Sequence, residues 1–302
     1  MDLQDYQIHY ISCEEKRHLQ SAIKLAPHVI YDERNRLVTY GNLVVKNFKI
    51  PSVIKAIGYR WIGSKAQRSF VNAKKIVEKG VVTALPVAYG EEYRIGILRR
   101  SFYAAYLLEG YKTIWGLVEK GAESDPELLK ALVRYIYSLH QKGVDHKDLS
   151  PGNILYKRCN TNALRYDFAL VDVNRTSFGP IPDKRRWESL SRLFYRLNDA
   201  QTFAKNYALV AQAPWEDVVN TAVKAGNRFF SRKIYKWMVK NERNLPAQER
   251  RVGAVVLAIL SRLIRGGKTT GWAAPLYRFE QRIFTPQRLS ADIRGHIRND
   301  YL

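Results

Sequence analysis

The sequence predicts a two-lobed α+β fold, with an antiparallel sheet and one helix in an N-terminal lobe and a mainly helical C-terminal lobe. Three observations predict it. Short apolar runs separated by turn residues fill most of the first 108 residues, and a single helical pattern over Ser64–Gly80 interrupts them. From Ser124 onward the apolar period lengthens to that of a helix, at Leu128, Leu129, Leu132, Val133, Ile136 and Leu139. A polar loop, Val144–Asn153, then leads into an apolar strand, and a second strand ends in a carboxylate at Asp172. With 302 residues, 46% of them hydrophobic, the chain can bury a sizeable core. The reading divides it into an N-terminal lobe at 1–108, a C-terminal lobe at 109–240 and a basic helical extension at 241–302.

Each element has a local reason. Cys13 to Leu25 reads as a short helix that Pro27 ends. Apolar runs between Val29 and Tyr40 flank Asp32-Glu33-Arg34-Asn35-Arg36, a hairpin turn. Asn42 to Phe48 is a strand with an interior lysine, Lys46. In Ser64–Gly80 the apolar positions are 66, 70, 73, 76 and 77, and Gly80 terminates the helix. Strands are expected at Thr83–Tyr89, Tyr93–Leu98 and Tyr103–Leu108, the last leading to a hinge near Leu108-Glu109-Gly110. Ser124-Asp125-Pro126-Glu127 starts a helix, with a capping side chain, proline in the first turn and acid near the positive end of the dipole. A further helical pattern begins at Arg185, and residues 199–240 read as helical. Val252–Ile264 is apolar nearly all round, yet as a helix it would span only about 20 Å, short of a bilayer core of about 30 Å.

The chemistry concentrates in the loop. His146, Asp148, Leu149 and Asn153 stand at the offsets of a kinase catalytic loop, H-x-D-L-x-x-x-N. Phosphoryl transfer needs a carboxylate that orients and deprotonates the attacking hydroxyl, and Asp148 is the candidate base. It also needs oxygens for a magnesium ion that bridges the nucleotide phosphates; Asn153 and Asp172 are the candidates. Val44-Val45-Lys46 parallels the V-A-I-K strand whose lysine reaches the α and β phosphates, so Lys46 is the candidate phosphate anchor. ATP and Mg2+ are the expected cofactors. No G-x-G-x-x-G precedes this strand, and only Gly41 lies near, so a lid over the phosphates works without close backbone approach. After Asp172 the run Val173-Asn174-Arg175 replaces Phe-Gly; Asn174 tolerates a positive φ, which would let the metal-binding turn form, and Arg175 could face a phosphate.

Val45-Lys46-Asn47-Phe48-Lys49, Ser64-Lys65-Ala66 with Arg68-Ser69-Phe70 and Asn72-Ala73, and Gly80 with Thr83 and Pro86-Val87-Ala88-Tyr89 together form a spaced set. With His146–Asn153 and Asp172-Val173-Asn174-Arg175, this set resembles the lipopolysaccharide core kinases, the Kdo and heptose kinases of the protein-kinase-like fold. The resemblance covers roughly Arg34 to Phe230. It implies an ATP-dependent phosphotransferase acting on a sugar hydroxyl of the lipopolysaccharide inner core. Val71 stands where the family pattern places a helix glutamate, and Glu78, two turns further on the same face, is the candidate substitute for it. No A-P-E element separates Asp172 from the next helix, and Ser150 occupies the place, two after the base, where protein kinases carry lysine. Both features point to a small hydroxylated acceptor. A kinase of the aminoglycoside or choline type shares these features, and a pseudokinase that binds an anionic partner is the non-enzymatic alternative.

A formal charge of +22, from 50 Lys and Arg against 28 Asp and Glu, attracts polyanions. The expected partner is the lipopolysaccharide core or another anionic glycolipid, with an anionic membrane surface beside it. No specific nucleic acid is expected, because the chain has neither an RNP-like aromatic strand nor a C-x-x-C pair. Residues 240–302 alone carry twelve Lys or Arg against five Asp or Glu. Two cysteines, Cys13 and Cys159, suit a reducing compartment. The acidic start, Met1-Asp2-Leu3-Gln4-Asp5, does not read as a signal peptide, so the expected location is the cytoplasm, at the inner face of the inner membrane.

Overall fold

The computed structural model describes residues 3–32, 35–50, 53–159 and 165–241. The expected basic extension, with its Val252–Ile264 pattern, lies outside the described residues. In chain order the elements are β1 (Gln7–Tyr10), α1 (Cys13–Ala22), β2 (His28–Asp32), β3 (Asn35–Tyr40), β4 (Leu43–Phe48), α2 (Val53–Ile62), α3 (Lys65–Glu78), β5 (Pro86–Arg94), β6 (Ile97–Tyr106) and β7 (Lys112–Thr113). Then follow α4 (Trp115–Lys120), α5 (Pro126–Gln141), β8 (Val144–His146), β9 (Ile154–Cys159), β10 (Arg165–Leu170), β11 (Thr176–Phe178), α6 (Asp183–Ser189), α7 (Leu197–Ala211) and α8 (Trp215–Asn241). The described chain forms two compact units. One comprises the described parts of Met1–Trp115 and Ser138–Pro180, the other Gly116–Tyr137 and the described part of Ile181–Ala291.

In the first unit an antiparallel sheet runs in the order β1-β5-β6-β4-β3-β2. Its longest hairpin differs from the expected three short strands, because β5 and β6 run nine and ten residues and meet at a two-residue loop. Ile95 and Gly96 in that loop have φ of +52° and +70°. Two successive left-handed residues make the turn whose twist matches a hairpin, so the segment expected as a strand over 93–98 is a reversal.

Residues paired across the strands share a face of the sheet. Lys46 lies opposite Tyr103, and Tyr103 opposite Tyr89, which puts Lys46 on the face where Phe48, Tyr89, Ala66 and Phe70 pack together. Val45, one residue away, points to the other face and packs with Phe102, Ala104 and Leu19. Leu19 belongs to α1, so the N-terminal segment, without a legible role in the sequence, covers the outer face and adds β1 as an edge strand.

Helix α3 forms as its sequence dictates. Ser64 Oγ caps it by accepting from Gln67 N at 3.0 Å, and beyond its end Gly80 takes φ +64° while Val81 N donates to Ile76 O at 3.1 Å. Its buried stripe is Ala66, Ser69, Phe70, Ala73 and Ile76, which differs from the expected stripe by including Ser69 and leaving Val77 exposed. Past the helix, Thr83 Oγ1 donates to Leu170 O at 2.6 Å and Leu170 N donates to Val82 O at 3.0 Å. This joins the α3 segment to β10 directly. Strands β7, β9 and β10 form a second antiparallel sheet, and β8 pairs with β11.

The second unit is helical. Asp199 accepts from Ala122 N at 2.9 Å, the tilted rings of Phe194 and Phe203 pack with centroids 5.4 Å apart, and the Arg192 guanidinium lies over Phe229 at 4.6 Å. The apolar stripe expected in α5 is buried at every position named, and Asp125 caps it by accepting from Leu128 N at 3.0 Å. Among the described residues no helix is long and apolar enough to cross a membrane.

Candidate active site

Strand β4 ends the path from sequence to site on its inner face. Lys46 Nζ donates to Asp172 Oδ1 at 2.7 Å, although the two residues lie 126 apart in the chain. Asp172 sits between β10 and a 3-10 turn, Val173–Arg175, and is itself left-handed, with φ +55° and ψ +45°. The sequence expectation gave the positive φ to Asn174; the structure gives it to Asp172. Aspartate is among the few non-glycine residues that visit this region, at a cost of about 1 kcal/mol or more. Asn174 does other work, donating from Nδ2 to the same Asp172 oxygen at 2.7 Å.

Two donors on one oxygen set the charge of the carboxylate. Burial raises the Asp172 pKa, but the ammonium of Lys46 beside it, the hydrogen bond from that lysine and the fields of His146 and Arg175 outweigh burial and hold it below the ordinary value. Asp172 is therefore ionised at neutral pH.

The loop from β8 is locked to the same point. His146 Nε2 donates to the carbonyl of Val171, the residue before Asp172, at 3.0 Å. The ring is buried, and desolvation pushes its pKa down against the pull of that carbonyl and of the Asp172 and Asp148 charges. Val171 N in turn donates to Asn153 O at 3.0 Å. Asn153 Nδ2 donates to the Asp148 carbonyl at 2.8 Å, which orients the amide so that its oxygen is the atom presented elsewhere. The Asp148 side chain is one-third exposed, and Arg175 Nη1 lies 3.6 Å from its Oδ2. All four residues singled out in the sequence, Lys46, Asp148, Asn153 and Asp172, thus fall in the first unit and are linked by these bonds.

A cleft opens on Lys46 and Asp172. Leu37, Val44, Ala105, Leu155 and Val173 make one part of its wall apolar, while the lysine and carboxylate charge another. Such a cleft suits a flat apolar ring joined to phosphates. Among the described residues no group of three His, Cys, Asp or Glu could hold a metal alone. One carboxylate and one amide oxygen do fit magnesium, which takes few protein ligands and completes its shell with phosphates and water.

The helix acid is absent from this site. Val71 is 40% exposed and Glu78 is exposed, since both lie off the buried stripe of α3. Ser69 is the α3 residue that lines the cleft. Glu78, exposed to solvent, is not seen on Lys46, whereas Asp172 pairs with it directly. Sequence reasoning also missed Asn72, whose Nδ2 donates to Val173 O at 2.8 Å and to Thr176 O at 3.2 Å. The available signal was its place beside Ala73 in the spaced motif set, which carried the family resemblance but not this contact.

An antiparallel sheet with a lysine strand, followed by a catalytic-type loop and a carboxylate-ended strand, defines a phosphotransferase of the kinase class. A family model described as the lipopolysaccharide kinase (Kdo/WaaP) family matches residues 54–214, more than half of the chain. The chain belongs to that family and is a phosphotransferase acting on a sugar hydroxyl. No curated protein sequence matches it. The solved structure of WaaP in complex with acyl carrier protein is 18% identical, with 71% of this chain and 92% of that chain covered and a TM-score of 0.50. The bifunctional kinase-methyltransferase WbdD is 17% identical, with 83% and 48% covered and a TM-score of 0.37. Glucosamine kinase in complex with glucosamine, ADP and inorganic phosphate is 11% identical, with 96% and 84% covered and a TM-score of 0.36. The WaaP likeness bears on the fold alone.

Proposed function

We propose that the chain transfers the γ-phosphate of ATP to a hydroxyl of Kdo or heptose in the lipopolysaccharide inner core. The observation that carries this reading is the Lys46–Asp172 pair at 2.7 Å, on the wall of a cleft with an apolar part, in a chain of this family. Lys46 anchors the nucleotide phosphates, Asn153 and Asp172 hold magnesium, and Asp148 is the base. Magnesium, when bound, neutralises charge that develops on the phosphates. The acceptor oxygen attacks the γ-phosphorus, the bond to the bridging oxygen breaks, ADP leaves, and the hydroxyl proton passes to Asp148. Asn153 holds the backbone of Asp148 from behind at 2.8 Å, so the base is positioned before the acceptor arrives.

The acceptor is membrane-borne in this reading, and the net charge of +22 suits both an anionic glycolipid and the anionic surface around it. The work is done in the cytoplasm at the inner face of the inner membrane. The test is transfer of radiolabelled phosphate from ATP, with Mg2+, to purified lipid A bearing inner-core sugar, set beside aminoglycoside, choline, RNA and peptide acceptors. Label in the glycolipid is the expected result. Label in an aminoglycoside or choline alone would overturn the substrate class, and binding of the glycolipid with no transfer to any acceptor would overturn catalysis.

A further inference from the structure

We infer that Arg175 is a catalytic residue that contacts the transferring γ-phosphoryl group, replacing a lysine that protein kinases carry in the catalytic loop. The inference rests on the kinase reading above and adds a residue to it. Two independent observations carry it. The first is a gap in the sequence: Ser150 stands two residues after Asp148, where protein kinases carry lysine, and no glycine-rich lid supplies backbone donors to the phosphates. The second is position. Arg175 Nη1 lies 3.6 Å from Asp148 Oδ2, and Arg175 ends the 3-10 turn that directly follows Asp172.

A cation beside the base, on the turn that follows the metal carboxylate, occupies the ground the phosphoryl group crosses on its way to the acceptor. The side chain of Arg175 is 61% exposed, so an ion pair with Asp148 alone contributes little to stability. Its backbone is fixed: it closes the 3-10 turn after Asp172, and the carbonyls of Val173 and Thr176 on either side of it accept from Asn72. An exposed guanidinium on a fixed backbone can leave the carboxylate for phosphoryl oxygens, which it matches in a planar, two-pronged geometry. In the transfer the acceptor oxygen bonds to phosphorus as the bridging oxygen departs with ADP. The charge spread over the three equatorial oxygens in that state is what the guanidinium stabilises, while the acceptor proton goes to Asp148.

The binding arm of the test does not depend on knowing the acceptor. MgADP with aluminium fluoride imitates the transferring group, whereas MgADP alone lacks it. Arg175→Ala should bind MgADP within about twofold of the parent chain and the aluminium fluoride complex at least about tenfold more weakly, because the arginine acts on the transition state. In the transfer assay the same variant should lose about a hundredfold or more in kcat with little change in KM for ATP. Guanidinium ion added to Arg175→Ala should restore part of the rate, and Arg175→Lys should keep more of it than Arg175→Ala; a merely structural arginine shows neither effect. Equal affinity of parent and Arg175→Ala for the aluminium fluoride complex would overturn the inference and leave the kinase reading standing. A higher KM for an acidic sugar with that affinity unchanged would reassign Arg175 to the acceptor and equally overturn it. Failure of the parent chain to bind MgADP at all would sink the kinase reading itself.

Discussion

Lys46 and Asp172 form a direct ion pair, 2.7 Å from nitrogen to oxygen, with side chains only 18% and 31% exposed. In protein kinases the strand lysine is held by a helix glutamate, and the metal carboxylate is separate. Here the metal candidate holds the lysine itself. The two residues should therefore act as a unit toward nucleotide. Asp172→Asn and Lys46→Met should each weaken MgATP binding about tenfold or more, and the double variant should be no worse than the weaker single. Calorimetry of the four proteins checks this; strictly additive losses would mean that the pair does not persist when nucleotide binds.

Asp148 makes a different kind of contribution. Its backbone carbonyl, not its carboxylate, accepts from Asn153. Asp148→Ala keeps that carbonyl. The variant should fold with unchanged Tm and bind MgATP within about threefold, yet lose about a thousandfold or more in turnover, because a base acts only in the transition state. Wild-type turnover in the purified variant would remove Asp148 from the mechanism.

The exposed positions of α3 lead to a contrast of three variants. Val71 and Glu78 lie on the solvent side, so Val71→Glu and Glu78→Gln should change turnover less than about twofold and stability by about 0.5 kcal/mol at most. Ser69 is 3% exposed and lines the cleft, so Ser69→Glu should alter MgATP affinity by offering Lys46 a second acid. A large loss in Glu78→Gln would restore the displaced-glutamate idea that the geometry speaks against.

The legible parts of this protein were those in which local chemistry and position coincide. The loop at His146–Asn153 and the strand before Asp172 have offsets fixed by short-range geometry, and α3 announces itself through Ser64 and Gly80. The β5–β6 hairpin was not legible, because its turn puts Ile95, a β-branched residue, at a positive φ that its side chain disfavours. Val71 looked like the helix-acid position because spacing along a helix does not fix its rotation about its own axis. That rotation is set by packing of Ala66 and Phe70 on Phe48 and Tyr89, four residues from three separate segments. Asn72 escaped for the same reason: its two acceptors lie 101 and 104 residues away.

Asn72 should be a stability determinant as well as a positioning residue. Its amide spans the turn between Val173 and Thr176, and both carbonyls lose one donor in Asn72→Ala, while Val173 O keeps the backbone N–H of Thr176. The expected cost is about 1–3 kcal/mol in urea unfolding. Asn72→Asp should cost more, since a carboxylate would then face two carbonyl oxygens. If Asn72→Ala unfolds at the parent's midpoint, the helix does not hold the turn.

The buried His146 ties stability to pH. Desolvation lowers its pKa in the folded chain despite the opposing pull of the Val171 carbonyl and the Asp172 and Asp148 charges, whereas in the unfolded chain the ring titrates near 6.5. Between the folded and unfolded values the unfolded chain binds more protons, so stability rises with pH across that window. His146 thus contributes fully above about pH 6.5, and the contribution is lost as the pH falls below it, at up to about 1.4 kcal/mol per pH unit. His146→Gln keeps an N–H donor for Val171 but cannot titrate. Urea unfolding at pH 7.5 and 5.5 should show a larger acid loss for the parent chain than for His146→Gln, both having the other five histidines in common. Equal losses would mean that the ring is protonated as easily in the folded chain as in the unfolded one, and the opposite order would mean that the two carboxylates outweigh burial.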